Sequence, residues 1–376
     1  HYLNILHAGW PAGLVLGSLA NYFFDAKSGI AGHTSWEVQW ALFLVPVVLY
    51  GVMCLGQNFP KSEASTKGVG IGSMLSEFAA PLLLFLLFVH ALVGYVELGT
   101  DSWIGQITGA IMASPDVRKV TFTGSTDVGK TLIRQSADTV KKLSMELGGN
   151  APFIVFDDAD LDAAVEGAMI AKYRNMGQTC VCTNRFYVQA GIHDAFVERL
   201  KAATAALVVG NGAEPGVQQG PLIDEAAVEK VEAMISDAVA KGGQIVQGGR
   251  RHGNGGTFFE PTVITGATSA MQFATDEIFG PLSAVFKFST EEEAISAANA
   301  TEYGLAAYAY TRDLGRAFRL NDGLEYGLIG INSGLITTVE APFGGLKESG
   351  MGKEGGSQGL EDYLSTKYVC LAGLKA

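Results

Sequence analysis

Two long stretches without a charged residue constrain this chain more than any other feature of its sequence. Residues 40–56 and 78–96 contain no Asp, Glu, Lys or Arg, and residues 9–24 form a third, weaker apolar stretch. An apolar run of roughly 18 residues is long enough to cross the hydrocarbon core of a bilayer. We therefore predict about three membrane-spanning helices within residues 1–113. The alternative is that these stretches are buried core helices of a large soluble protein.

Charge and cysteine content argue against several classes of function. The 376-residue chain has a net charge of −12, whereas nucleic-acid binding requires a basic surface. The four cysteines, at positions 54, 180, 182 and 370, are too few and too scattered for a disulfide scaffold. Cys180 and Cys182 have no neighbouring histidine that could complete a zinc site. We therefore predict no nucleic-acid partner and no metal.

From about residue 116, short β-rich runs alternate with amphipathic helical patterns. The predicted strands cover residues 119–123 and 153–156, and the predicted helices cover residues 127–137, 160–173 and a segment that Asp224 caps and Gly242 ends. Strands that alternate with helices at this spacing predict a parallel α/β sheet. Residues 342–352 are too rich in glycine for a helix or a strand and predict a shaped loop, of the kind that often lines a site.

Cys180 and Glu146 are the residues best suited to carry chemistry. A cysteine becomes a good nucleophile when backbone N–H groups or a cation lower its pKa, and Arg174 lies six residues before Cys180. Apolar Met145 precedes Glu146, and apolar surroundings raise the pKa of a carboxyl group towards that of a useful general base. The alternatives are a buried structural cysteine and a surface glutamate at a helix end. Cys182 is close enough in sequence to act as an oxidation partner of Cys180.

Two further segments suggest a nucleotide. Residues 124–129 place glycines between a predicted strand and a predicted helix, where backbone N–H groups at a helix N-terminus bind phosphates. A strand–turn–helix without a ligand requires glycine for the same geometric reason. Glu277 could accept hydrogen bonds from ribose hydroxyls, or it could be a solvated turn residue.

Together these motifs resemble the aldehyde dehydrogenase superfamily, and its succinate-semialdehyde dehydrogenase branch in particular, over residues 115–374. The resemblance is carried by Glu-Leu-Gly-Gly-Asn-Ala-Pro-Phe from Glu146, by Gly-Gln-Thr-Cys-Val-Cys around Cys180, and by Ala-Pro-Phe-Gly-Gly around Phe343. It implies an α/β fold with a remnant of the NAD(P)-binding domain in residues 114–147 and a catalytic domain in residues 148–338. Residues 339–376 would form a loop, a return to the nucleotide domain and an oligomerisation strand at residues 363–368.

The resemblance also implies a reaction and the residues that perform it. Cys180 would attack a semialdehyde to give a thiohemiacetal, which passes hydride to nicotinamide and becomes a thioester, and Glu146 would activate the hydrolytic water. The backbone N–H of Cys180 would be one of two oxyanion donors. The cofactor, NAD or NADP, would contact Gly124, Ser125, Leu147, Glu277 and Phe279. The substrate would contact Arg174, Thr337 or Thr338, and Phe343.

Residues 1–113 resemble part of a major-facilitator transporter, with the join near residues 112–115. We therefore interpret the chain as chimeric or mis-assembled, with a membrane fragment joined to the catalytic half of a dehydrogenase. The asparagine that supplies the second oxyanion donor and the lysine that binds the adenosine ribose would be missing, so we expect impaired activity. The dehydrogenase part is expected to be a cytoplasmic homo-oligomer, associated with a membrane if the fusion is real. The alternatives are a transporter fragment without catalytic function and a thiol site with slow esterase activity.

Overall fold

The computed structural model describes residues 108–373. The predicted membrane spans at residues 9–24, 40–56 and 78–96 lie outside this part of the chain. From residue 108 to residue 373, none of the helices combines the length and the apolar character that crossing a bilayer requires.

Strands and helices alternate through most of the described chain. The strands are β1 (Lys119–Thr123), β2 (Lys142–Glu146), β3 (Ala151–Val155), β4 (Thr183–Gln189), β5 (Gln244–Gln247), β6 (Thr262–Thr265), β7 (Leu282–Phe288), β8 (Tyr303–Gly304), β9 (Ala306–Tyr310), β10 (Leu328–Ile331), β11 (Leu346–Lys347) and β12 (Gly350–Met351). The helices are α1 (Thr126–Ser136), α2 (Leu161–Tyr173), α3 (His193–Ala205), α4 (Glu225–Ala240), α5 (Glu291–Asn299) and α6 (Leu314–Gly323).

The strands form two main sheets. A seven-stranded sheet has the order β10-β9-β3-β4-β7-β6-β5, and its neighbours are parallel except for β5 and β6. A three-stranded sheet has the order β1-β2-β12, with β1 parallel and β12 antiparallel to β2. The predicted parallel α/β architecture is therefore confirmed for this part of the chain.

Local sequence signals give the helix starts correctly. Asp160 caps α2 by accepting hydrogen bonds from the backbone N–H groups of Asp162 and Ala163. Asp224 caps α4 by accepting one from Ala227. These side chains satisfy donors that the first turn of a helix leaves without an intrahelical partner. The predicted strand at residues 119–123 is also found, and α1 begins at Thr126, one residue before its predicted start.

One prediction at the C-terminal end is wrong. Residues 342–352 do contain strands, because Gly350, at φ +125°, packs against the carbonyl of Met145 and lets β12 pair with β2. The oligomerisation strand expected at residues 363–368 stays a prediction, because such a strand would pair with a second copy of the chain. The side chains of residues 364–368 are exposed, and Tyr368 retains 88% of its accessible surface.

The seven-stranded sheet is covered on both faces. Alternate residues of a strand point to opposite faces, so Ile154 packs in one apolar cluster and Phe153 and Val155 in the other. Because β3, β4 and β7 are parallel neighbours, the segments that precede them lie at the same edge of the sheet. That edge carries most of the candidate functional residues.

Candidate active site

The site is formed where the carboxyl end of one sheet meets the amino ends of three strands of the other. Glu146 is the last residue of β2, and Cys180 lies just before β4. Glu277 lies in the segment before β7. The packing of the two sheets therefore brings together residues that lie up to 131 positions apart in the sequence.

The backbone between β2 and β3 is held by hydrogen bonds from distant segments. Gly148 donates its N–H to Thr126 Oγ1 at 3.2 Å and accepts a hydrogen bond from Ser349 Oγ at 2.7 Å. Gly149 donates its N–H to Glu277 Oε1 at 3.0 Å. The segment that follows Glu146 is thus fixed to α1, to the C-terminal loop and to the segment before β7.

The approach to Cys180 is a strained left-handed turn at the end of α2. Asn175, Met176 and Gly177 have φ values of 52°, 57° and 73°. Such values disfavour residues with a Cβ atom, so the turn persists only because its surroundings fix it. At Gly177 a Cβ atom would lie 2.2 Å from the carbonyl oxygen of Gly280, so only glycine fits there.

A hydrogen-bonded turn then presents Cys180. Cys182 donates its backbone N–H to the Thr179 carbonyl at 3.0 Å, and its Sγ is 2.7 Å from Thr179 Oγ1. Tyr308 donates its hydroxyl to the Val181 carbonyl at 2.8 Å. Cys182 is buried with its sulfur directed at Thr179, whereas Cys180 is half-buried. Cys180 is therefore the better placed of the two thiols for attack on a small molecule.

Gly149 brings the Glu146 segment against Cys180. A Cβ atom on Gly149 would lie 2.3 Å from the carbonyl oxygen of Cys180. The absence of a side chain at position 149 is thus what allows the two segments to touch.

We predict that Gly149→Ala destabilises the fold by ~1–3 kcal/mol, because the new methyl group must displace the Cys180 turn. Thermal unfolding monitored by circular dichroism measures this loss. Gly212→Ala is the matched control, because a Cβ at Gly212 would meet no atom within 4 Å. Equal melting temperatures for the two variants would contradict the proposed close contact.

Burial and mutual repulsion shape the acidity of the site. Burial, followed by the charges of Glu277 and Glu146, raises the pKa of Cys180 to about 11. Burial and then Glu354 raise the pKa of Glu146 to about 8, and Lys353 opposes this shift. Burial also raises the pKa of Glu277 to about 7. Each of the three groups can therefore exchange a proton when a ligand changes its surroundings by a few kcal/mol.

Glu146 is directed into the site with one oxygen free. Its residue is only 3% exposed, and its Oε2 has no hydrogen-bond partner among the described residues. Gly344 closes the other side, because a Cβ there would lie 3.1 Å from Glu146 Oε1. Lys353 holds this part of the loop by donating its Nζ to the Gly344 carbonyl at 2.8 Å. A buried carboxyl group with a free oxygen is suited to accept a proton from a small molecule.

The predicted cofactor residues have different surroundings. Gly124 already donates its N–H to the Glu146 carbonyl at 3.0 Å, so this N–H is not available to a phosphate. Ser125 caps α1 by accepting a hydrogen bond from Val128 N. Leu147 is buried, and its side chain packs against Gly129 of α1.

Glu277 and Phe279 remain accessible at the same edge. Glu277 is half-buried, with one carboxylate oxygen on the Gly149 N–H. Phe279 is exposed and has a φ of +50°, which is uncommon for a residue with a bulky side chain. Glu277 thus lies beside the turn that follows Glu146, and Phe279 is two residues further along the same segment.

The predicted substrate residues are only partly brought together. Phe343 and Cys180 pack against the same apolar cluster. Arg174 is half-buried at the end of α2, and no ion pair or hydrogen bond of its guanidinium is found within residues 108–373. Thr338 is exposed and donates its hydroxyl to Glu340, whereas Thr337 is half-buried.

Sequence reasoning missed four residues that shape the site: Thr126, Ser349, Gly344 and Lys353. Three of them, Ser349, Gly344 and Lys353, lie in or next to the glycine-rich loop at residues 342–352. The contacts of Ser349 with Gly148 and of Gly344 with Glu146 join positions about 200 residues apart, and no local pattern indicates such a pairing.

Comparison with known proteins identifies the family in which these features occur. The family model for the aldehyde dehydrogenase family matches residues 98–369. The 3-sulfolactaldehyde dehydrogenase of Pseudomonas putida is 60% identical over 269 residues, which cover 72% of this chain and 55% of that protein. The succinate semialdehyde dehydrogenase of Acinetobacter baylyi is 59% identical over 348 residues, 92% of this chain and 69% of that protein.

A solved structure agrees with the fold. The succinate-semialdehyde dehydrogenase of Burkholderia pseudomallei superposes with a TM-score of 0.70 at 59% identity, over 71% of this chain and 55% of that one. The chain spans little more than half the length of that protein and of the Pseudomonas relative.

These matches reach further towards the N-terminus than the predicted join near residues 112–115. The family match begins at residue 98, inside the segment that was assigned to a transporter, and the Acinetobacter match extends further towards the N-terminus. The transporter-like and chimeric interpretations of residues 1–113 gain no support from them. Because the family model covers well over half of its residues, the chain belongs to the aldehyde dehydrogenase family.

Proposed function

We propose that this chain oxidises an aldehyde with a distal acidic group to the carboxylate, with Cys180 as nucleophile, Glu146 as base and NAD or NADP as cofactor. The observation that carries the proposal is the meeting of these two groups. The Cys180 thiol is half-buried, and Glu146 is buried with an oxygen that has no partner among residues 108–373. Glu146 is near enough to help burial raise the pKa of Cys180, and the absence of a side chain at Gly149 lets their two segments touch. A thioester mechanism requires this pair: one group to form the acyl-enzyme and one to activate water.

The chain has suitable groups for a dinucleotide. The first N–H groups of α1 lack intrahelical acceptors, and together with the helix dipole they suit a phosphate next to Ser125. Glu277 presents a carboxylate at the same edge for ribose hydroxyls. When bound, NAD or NADP supplies the two-electron acceptor that the oxidation of an aldehyde requires.

Cys180 and Glu146 perform the addition and hydrolysis steps of the reaction. Burial raises the pKa of Cys180 to about 11, so the thiol must first lose its proton to solvent. The thiolate then adds to the aldehyde carbon, and the backbone N–H of Cys180 stabilises the developing oxyanion. After oxidation the acyl group remains on sulfur as a thioester. Glu146 then removes a proton from a water molecule as that water attacks the thioester carbon, and the Cys180 thiolate leaves with the bonding electron pair. The raised pKa of Glu146 makes it basic enough for this step near pH 8.

Arg174 supports an acidic substrate. Its guanidinium, which has no partner among residues 108–373, lies on the segment that leads to Cys180 and would face an anion at the far end of a short aldehyde. Two of the relatives are named for such compounds, with a sulfonate in one and a carboxylate in the other. We therefore assign succinate semialdehyde as the first substrate to test.

The direct test is nucleotide reduction at 340 nm with succinate semialdehyde and either NAD⁺ or NADP⁺. Substrate-dependent formation of the reduced nucleotide is the expected result. A folded chain that forms none with either cofactor, with this substrate or with 3-sulfolactaldehyde, would overturn the proposal.

We predict that Arg174→Leu raises the KM for succinate semialdehyde roughly 10- to 100-fold, since a hydrogen bond to a charged group contributes about 1.5–3 kcal/mol. The kcat/KM for butanal, which has no distal charge, should stay within a factor of about three. Arg250→Leu is the control, because the Arg250 side chain is 80% exposed and its one ion pair within the described residues is with Glu260. An equal loss for both aldehydes would assign Arg174 to the fold instead of the substrate.

A further inference from the structure

Two buried asparagines hold the segment that carries Glu277. Asn150, immediately before β3, donates its Nδ2 to the carbonyl of Ala274 at 3.1 Å and to that of Thr275 at 3.0 Å. These two acceptors fix the orientation of the amide, because its oxygen could not face two carbonyl oxygens. Asn150 is 1% exposed, so water does not compete for these hydrogen bonds.

Asn184, in β4, holds the same segment further along. It donates its Nδ2 to the Asp276 carbonyl at 3.1 Å, and its Oδ1 accepts the N–H of Ile278 at 3.3 Å. Asn184 is 2% exposed. The backbone is therefore bound on both sides of Glu277 by side chains of two neighbouring strands.

This arrangement fixes the start of the Glu277 side chain relative to the sheet. The Glu277 carboxylate then reaches back to the Gly149 N–H, one residue before Asn150. Hydrogen bonds thus connect Asn150, the Glu277 segment and Gly149 in a closed circuit. A shift of about one ångström in this backbone would carry the 3.0 Å hydrogen bond between Gly149 and Glu277 beyond the usual range of about 2.7–3.2 Å.

We propose that Asn150 and Asn184 are positioning residues that place the Glu277 carboxylate against Gly149 and beside Cys180. The effect of the two asparagines on cofactor binding rests on the proposed function, in which Glu277 contacts a ribose. Their effect on the position of Glu277 is independent of that function, and the experiment below requires no nucleotide.

The test compares Asn150→Ala and Asn184→Ala with the control Asn299→Ala. Asn299 also makes two hydrogen bonds from its side chain to the backbone, with the Gly323 carbonyl and the Glu325 N–H, but it does not touch the Glu277 segment. Asn150→Ala and Asn184→Ala are called the clamp variants below. Having two of them keeps the test decisive if one fails to fold. Hydrogen exchange of the Gly149 amide reports on Glu277, its only acceptor within residues 108–373.

We expect exchange at Gly149 to accelerate at least tenfold in each clamp variant, with no change in the amides of β3. The pH profile of Cys180 alkylation by iodoacetamide is the second readout, since Glu277, Glu146 and Cys182 all oppose thiolate formation at Cys180. When the Glu277 carboxylate moves away from Cys180, the inflection of this alkylation profile should move to lower pH. Asn299→Ala should alter neither readout.

Three results would overturn the proposal. They are exchange at Gly149 at the wild-type rate, exchange that accelerates only together with the β3 amides, and the same change in Asn299→Ala. A wild-type chain that reduces no nucleotide would instead overturn the proposed function, and both readouts would still decide the role of the asparagines.

Discussion

Cys180→Ala should abolish aldehyde oxidation, with a fall in kcat of roughly 10⁴-fold or more, as expected when the nucleophile of a covalent mechanism is removed. No other described thiol can replace it at this position. Cys182 is buried with its sulfur directed at Thr179, and Cys370 is exposed near the C-terminus, outside the group formed by Glu146 and Glu277. The measurement is nucleotide reduction with succinate semialdehyde at saturating cofactor.

Two controls make this result specific. Cys370→Ala should retain wild-type kcat, because its side chain is exposed and far along the chain from the site. Cys180→Ala should melt within about 2 °C of the wild type, because Cys180 is half-buried and makes no side-chain hydrogen bond in the described structure. Residual activity above roughly one per cent in Cys180→Ala would contradict the assignment of the nucleophile.

Local sequence patterns were sufficient where a structure is determined by neighbouring residues. Asp160 and Asp224 cap the helices that follow them, because a cap acts within three residues of its own position. The strand at residues 119–123 and the helix after it follow from the same short-range alternation. The parallel sheet could be predicted from the repetition of such units.

Sequence patterns say less where a residue's surroundings depend on a distant partner. β2 brings the Glu146 carbonyl to the Gly124 N–H. Glu340 accepts the hydroxyl of Thr338, and the Leu147 side chain fills the space that Gly129 leaves on α1. The contacts of Gly124 and Leu147 with a cofactor, and of Thr337 or Thr338 with a substrate, stay predictions. In each case the sequence identifies the functional group, and only the fold shows which partner it meets.

Glycine gives the clearest example of this limit. The sequence marks residues 148–149 and 342–352 as unusual, since glycine favours neither helix nor strand. It does not show that Gly149 meets the Cys180 carbonyl or that Gly344 closes on Glu146. Both contacts require a missing side chain, so the requirement becomes visible only when the opposing segment is known.

Glu146→Gln should lower kcat by roughly 10²- to 10⁴-fold, because the amide cannot accept a proton from the hydrolytic water. The acyl-enzyme should still form, since Cys180 is intact. Pre-steady-state measurements should therefore show a burst of nucleotide reduction close to one equivalent per site, followed by a slow steady state. Glu214→Gln, an exposed change of the same kind, should leave both phases unaltered.

The pH dependence provides an independent check of the same assignment. The base must be ionised to accept a proton, and burial raises the pKa of Glu146 to about 8. The wild-type deacylation rate should therefore rise about tenfold per pH unit below pH 8 and level off above it. In Glu146→Gln this dependence should disappear while the slow rate persists. A variant that keeps the inflection near pH 8 would show that another group removes the proton. A variant that loses the burst would place Glu146 before the thioester instead of after it.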